Sequence, residues 1–393
     1  MAVIEPPSPT GSDPCTVGVY SAPDRIRQLD EAVRRIVPDR DVTLEPRFFL
    51  ASLSQQWKPA VVVVRRREAT IGVVYARERT IAGFSTGLVY IDGRVGNMIA
   101  AAAADTRQVV SEAIRALFGK SGVRAIRIAV SPGSLEAEAL EHLRALAPWD
   151  IAYGPLPPHE LHSRLPLPAD YQEFLAVLGY KTRRNFRYYR RKFEAAQHTW
   201  VESLSPEQFR QAATALRTKC HIRSSSSELE RAFNLVLSVN ERWVVGLRHR
   251  DGEWLSVAAG WFSRDRATMF LQLNNDREHA DASLAIVLRA YLIEALIRAG
   301  VPELTFWSGS SAPLSRYAVS IPGVAVYLDA RNAGWRLTRS AFGRTESLLA
   351  KWVGTDARWI AGFNLTREPP VLDHATARAK RSQSVNGETR RKD

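Results

Sequence analysis

Hydrophobic and polar positions along the chain follow one order, and they follow it twice. The stretch AVVVVRRREATIGVVYARERT, from Ala60 to Thr80, sets β-branched runs on both sides of a charged turn and predicts a hairpin. GLVYID then predicts a short strand. TRQVVSEAIRALFG places Val109, Val110, Ala113, Ile114 and Leu117 at helical spacing, so it predicts an amphipathic helix. Gly122 stops that helix, and Ile126 and Ile128 begin a strand. The second half repeats the series. WVVGLRHRDGEWLSVAAGWFSR reads as a hairpin around Asp251-Gly252. ATMFLQL reads as a strand and SLAIVLRAYLIEALIRAG as a helix. Gly300-Val301 leads into a last strand at Leu304 and Phe306. TIGVVYAR in the first half is similar to AAGWFSR in the second. Few identities are shared, but the order hairpin, strand, helix, strand predicts two copies of one α/β unit.

AYGPLPPHELHSRLPLP, from Ala152 to Pro168, separates the copies and holds five prolines, which suits a linker. The expected organisation is a disordered leader over 1–16, a first domain over 17–157, a second over 158–370, and a basic disordered tail over 371–393. The 393-residue length exceeds one ordinary core, and 45% hydrophobic residues can fill two.

Charge changes the picture. A net charge of +13 and a pI near 10.0 point to an anionic partner. Two cysteines, one of them in the Pro-rich leader, fit a reducing compartment. The leader lacks a basic start and an apolar centre, and the apolar runs are too short to cross a bilayer. A soluble cytoplasmic protein is expected. No HExxH, CxxC or GxxxxGK[ST] occurs, which disfavours a metal site and ATP-driven ligation. Cys220 and His221 are neighbours, but adjacent helical residues do not face each other, so a structural cysteine is expected.

Much of the charge lies in YKTRRNFRYYRRKFEAA, Tyr180 to Ala196, within an expected basic helix over 171–197. Half of its first fourteen positions are Lys or Arg and none is acidic. On a wheel, Leu175, Leu178, Thr182, Phe186, Tyr189 and Phe193 form one packing stripe. Tyr188 falls on the charged side. Arg183, Arg184, Arg187 and Arg191 are candidate anion-binding residues. Their partners could be acyl-CoA phosphates, aminoacyl-tRNA, an anionic lipid-linked acceptor, or carboxylates elsewhere in the fold. A solvated face is the bland alternative.

Three segments carry a resemblance. DYQEFLAVLGYKTRRNFRYYRRKFEAA is similar to the opening helix of the GNAT superfamily branch that groups with Fem-type peptidyltransferases and some polysaccharide-biosynthesis proteins. GEWLSVAAGWFSRDRATMFLQL resembles its central hairpin and strand. SLAIVLRAYLIEALIRAGVPELTFWSGSSAPLSRYA resembles its helix, strand and terminal glycine segment. The resemblance covers roughly 166–331, and the first half looks like a divergent amino-terminal copy. It implies an α/β fold of two tandem GNAT-like domains, each a mixed, mostly antiparallel sheet flanked by helices.

The same resemblance implies an N-acyltransferase that uses acyl-CoA and no metal. Its acceptor would be an amine of a small molecule or a glycan precursor. The pyrophosphate would sit at the helix start Ala282, Ser283, Leu284 and Ala285, where open N–H groups and the helix dipole attract anions. The family usually has a Gly there, where this chain has Ser283, a candidate N-cap. The thioester would lie along Gln272 and Leu273. Tyr317 is the candidate acid for the leaving thiolate, with ring packing as the alternative role. Ser308, Gly309 and Arg316 would form the acceptor loop. The family's Tyr-Lys pair appears here as Leu314-Ser315. Glu241, Asp276, Glu278 and Asp281 flank the cleft and are expected as ordinary surface carboxylates. The alternatives are a Fem-type transferase fed by aminoacyl-tRNA, and an inactive GNAT scaffold that binds an anionic partner. Peripheral contact with an anionic membrane is also open.

Overall fold

Both repeats form the elements their hydrophobic pattern predicts, and each builds its sheet around a parallel pair of strands. The computed structural model describes residues 14–39, 41–91, 98–146, 149–156, 162–220, 226–263, 266–307 and 314–330. Most of the expected leader, the end of the second domain and the basic tail lie outside these residues.

The first unit opens with β1 (Cys15–Tyr20) and three short helices, α1 (Pro23–Arg27), α2 (Asp30–Ile36) and α3 (Pro46–Ser52). Cys15 and Thr16 therefore belong to a strand, paired with Arg66 and Arg65, rather than to the leader. Next come β2 (Trp57–Pro59), β3 (Val61–Arg66), β4 (Ala69–Val74), β5 (Arg77–Ile81), β6 (Phe84–Ile91) and β7 (Ile99–Ala101). The unit ends with α4 (Thr106–Gly119), β8 (Ala125–Val130), α5 (Leu135–Leu146) and β9 (Trp149–Pro155). The predicted hairpin is β3–β4. Its strands continue round a corner at Ala60 and Ala76, where Ala60 N–H donates to the Ala76 carbonyl. The sheet therefore divides into two, ordered β1-β3-β4-β7 and β2-β5-β6-β8 with two further strands.

The second unit begins with β10 (His162–Pro166), α6 (Tyr171–Val177), the basic helix α7 (Tyr180–Ala195) and β11 (Thr199–Val201). It continues with α8 (Pro206–Arg217), α9 (Ser226–Leu237), β12 (Arg242–Arg248), β13 (Trp254–Ser263) and β14 (Arg266–Asn274). Then follow α10 (Leu284–Arg298), β15 (Glu303–Phe306), β16 (Val319–Ile321) and β17 (Val324–Ala330). One seven-stranded sheet runs β11-β12-β13-β14-β15-β10-β16. Helix α10 is apolar around most of its circumference, so it must be covered on two sides. The sheet covers one side, and Phe186 and Phe193 of α7 join the same core on the other. Helix α7 thus exists to seal α10, and its charge is confined to what remains exposed.

The expected boundary near 157 divides the chain but not the sheets. β17 inserts into the first unit between β8 and β9, antiparallel to both, from Val324 to Asp329. β10 inserts into the second unit between β15 and β16. The first unit thus closes its sheet with a strand from the carboxy-terminal half of the chain, and the second takes β10 from the start of its own segment. The proline-rich stretch is consequently mostly strand. Pro155 and Pro166 sit at strand ends, where a missing N–H is tolerated.

Candidate active site

β14 pairs in parallel with β15 only from Arg266↔Glu303 to Met269↔Phe306. Beyond Met269 its β15-side edge has no strand partner among the described residues. Trp307 N–H closes the pairing on the Met269 carbonyl at 3.0 Å. The β13 partner shifts register at the same point, with Ala259 opposite Leu271 and Gly260 opposite Met269. Phe270 is therefore an extra residue, a bulge. Gly260 is required there, because a Cβ would stand 1.8 Å from the Thr268 carbonyl oxygen.

A one-residue bulge flips every later side chain to the other face. Before it, Ala267 and Met269 face the α7–α10 core. After it, Leu271 and Leu273 pack with α8 and α9 instead. Gln272 turns toward α10, where its Oε1 accepts from Arg289 Nε at 3.0 Å. So Gln272 lies in the expected cleft and the Leu273 side chain does not. Arg289 is 9% exposed and lies over the Phe306 ring at 5.3 Å. Burial pushes its guanidinium down to about 10.

At the start of α10, Ser283 has φ +46° and makes no side-chain cap bond. The expected serine cap is absent, because a left-handed residue points its side chain away from the first turn. The Ser283 carbonyl accepts from Ile286 and Val287 N–H. Leu284 and Ala285 N–H make no such bond among the described residues, so the turn keeps open donors. Ala282 and Ala285 are half-buried beside it, while the Leu284 side chain is core.

Tyr317 is half-buried against the same core, and its hydroxyl oxygen accepts from the Gly179 N–H at the start of α7. Arg316 is exposed at the end of a short 3-10 turn. Ser308, Gly309 and His221 lie outside the described residues. Cys220 is buried, its thiol donates to the Asn274 carbonyl, and burial pushes its pKa up, so it is no thiolate nucleophile. Glu278 bonds Asn275 and Lys219, and Asp281 pairs with Lys192 at 2.6 Å; both carboxyls are held below their ordinary range by these partners.

On α7, Arg190 bridges Glu194 and Glu294 and lies over Tyr291 at 4.3 Å. Arg187 reaches Gln172 at 3.2 Å. Arg183, Arg184 and Arg191 have no ion-pair partner among the described residues. Phe186 and Phe193 are buried, Tyr189 packs partly, and Tyr188 is 56% exposed. This is the division that helical spacing predicts.

Between the two units lies a cavity of about 560 Å³. It is bounded by Asp41, Thr43 and Ile99 from the first unit, and by His162, Trp261 and Trp307 from the second. Arg266 bridges to Asp41 at 2.6 Å across the units. Phe270, the bulge residue, packs on Trp261 at 5.5 Å and on Trp307 at 5.9 Å. The bulge therefore backs onto the aromatic wall of the cavity.

Residues 180–317 match the family described as acetyltransferase (GNAT) domain. FemX is similar in structure at 13% identity, covering 76% of this chain and 95% of that one, with a TM-score of 0.54. L-PGS from Bacillus licheniformis is similar at 10% identity, 82% and 96% coverage, and a TM-score of 0.51. The C-terminal DUF2156 domain of a putative lysylphosphatidylglycerol synthetase from Agrobacterium fabrum gives 12%, 84%, 97% and 0.50. No curated protein matches the sequence. The likeness to these structures is one of fold, and the protein is an α/β chain of two tandem GNAT-like units.

Sequence reasoning missed three residues beside the bulge in β14. His162 stands in the proline-rich stretch that reads as linker, yet β10 carries it against Trp307 at 4.4 Å. Arg289 lies in an otherwise apolar helix, and that isolation was its available signal. Trp261 looks like ordinary core. The first-unit side of the cavity has no sequence signal at all.

Proposed function

We propose that the protein transfers an acyl group from a coenzyme A thioester to an amine, with the donor on the second unit and the amine in the interdomain cavity. One observation carries this reading: β14 parts from β15 at a bulge, between the open α10 turn and that cavity. The donor phosphates would take the Leu284 and Ala285 N–H groups, with Arg183, Arg184, Arg187 and Arg191 as an anion-attracting flank. The acyl carbonyl would lie beside the bulge, where a free strand-edge N–H holds the oxyanion.

His162 would take a proton from the incoming ammonium. The amine lone pair then forms the C–N bond, the C–S bond breaks with its pair going to sulfur, and the nitrogen loses its second proton to water, from which Tyr317 is later reprotonated. Tyr317 is the acid for that thiolate. Its bond to Gly179 occupies an oxygen lone pair, so the O–H proton remains available to donate.

Isothermal titration with acetyl-CoA and longer acyl-CoAs tests the donor. Binding at one chain length is expected, and no heat at any length would sink the coenzyme A reading. The unpaired arginines on α7 favour a second donor, aminoacyl-tRNA. Retention of charged tRNA that falls steeply with salt would select it.

A further inference from the structure

Large apolar side chains that stay in water are normally scattered singly. Here three of the eight that the described residues expose fall within twelve positions, namely Val177 at 65%, Tyr180 at 70% and Tyr188 at 56%. They stand at the end of α6 and on α7. Lys181 to Lys192 adds seven cations to the same stretch. Arg190 and Lys192 are spent on Glu294 and Asp281. Glu194, the one acid on α7, is held by Arg190 and Tyr291. The remaining cations are not neutralised by an ion pair among the described residues.

Helical spacing sorts these groups. Tyr180, Arg184, Tyr188 and Arg191 follow one another at four, four and three residues, on the pole opposite the buried Phe186 and Phe193, and Arg187 lies beside them. All five are exposed. They run along about 16 Å of an outer helix whose other side is sealed on α10. A solvated charged face needs no apolar residues, and a nucleic acid gains nothing from an aliphatic Val177. A bilayer interface uses all three kinds of group: arginine for lipid phosphates, tyrosine for the headgroup layer and valine for the acyl boundary. No helix among the described residues is long and apolar enough to cross a membrane, so such a contact lies on the surface.

We infer that the outer face of α7, together with Val177, docks the protein on an anionic lipid bilayer. The inference goes beyond the acyl-transfer reading and does not depend on it.

The full chain is floated with vesicles of phosphatidylcholine alone, and with vesicles that also hold phosphatidylglycerol. Binding should need the anionic lipid and fall with salt. Each arginine near such a surface contributes about fivefold, so Arg184→Gln, Arg187→Gln and Arg191→Gln together should lower partitioning about a hundredfold. Arg25→Gln, Arg107→Gln and Arg210→Gln remove the same charge from exposed positions on α1, α4 and α8. Lying away from the docked face, they should cost less than about tenfold. Val177→Ser, Tyr180→Ser and Tyr188→Ser together leave the charge unchanged and should cost about tenfold. All these positions are exposed, and thermal melts check that each triple variant is folded. No binding to anionic vesicles, equal losses in the two arginine sets, or unchanged binding without Val177 and the tyrosines would overturn the inference. The last outcome, with tRNA retained by the parent and lost with the α7 arginines, would assign the face to a nucleic acid instead. If acyl-CoA fails to bind while anionic vesicles bind, only the donor reading falls. If acyl-CoA binds and the vesicles do not, only this inference falls.

Discussion

Each unit joins two strands in parallel across a helix, and the units differ in whether that helix start is closed. In the first, Arg66 pairs with Asp105 at 2.8 Å directly before α4, and Arg66 also reaches Gln108 in its first turn. Gly72 then lets α4 lie on β4 so closely that a Cβ would stand 2.3 Å from Val109. In the second, α10 starts on a left-handed Ser283 with open N–H groups, and a bulge frees the strand edge in front of it. The same parallel pair thus frames a closed helix start in one unit and an open one in the other. Side chains that seal or leave open the same two places make the difference.

The largest effect tests the strand insertion. Leu328 in β17 is fully buried in the first unit. Leu328→Asp should cost about 4 kcal/mol or more through an uncompensated buried charge. Hydrogen exchange should show protection lost first over residues 60–130, far from the substitution in sequence. Loss confined to residues 242–263 would contradict the insertion.

Next is the bulge. Gly260→Ala forces a shift of β13 against β14 and should lower acyl transfer about a hundredfold or more, the range expected for loss of an oxyanion donor. Gly72→Ala should cost about 1–3 kcal/mol of stability by overpacking and leave kcat within about twofold. Matching losses of kcat in both would erase the distinction between the units.

A smaller effect separates the helix starts. Ser283→Asp sets a carboxylate where donor phosphates would sit and should raise the donor KM about tenfold. Asp105→Asn should leave that KM unchanged and cost about 0.3–1 kcal/mol of stability. Steady-state kinetics and thermal melts together read both.

The smallest is a pH effect in the first unit. Burial alone would raise the Glu78 carboxyl, but hydrogen bonds from Lys120 and Ser85 and the Lys120 and Lys58 charges outweigh it and hold it below its ordinary value. A depressed carboxyl stabilises the fold above its unfolded pKa, and that contribution fades as pH falls through the folded one. Glu78→Gln should therefore lose about 1 kcal/mol at pH 7 and converge with the parent in acid, as urea titrations at several pH values would record.

The sequence by itself determined the local elements and their faces. The repeated hairpin, strand, helix and strand were legible, as was the buried stripe of Phe186 and Phe193 with Tyr188 outside. Burial there has the period of a single helix or strand, so neighbours in sequence carry the whole signal. Tertiary structure alone decided which sheet β10 and β17 join, since a strand's pattern states that it is buried but not against what. It also decided the face of Leu273, because one bulged residue at Phe270 reverses an alternation that sequence can count but not interrupt. And it assembled the cavity, which Thr43 lines from the first unit and Ser263 from the second.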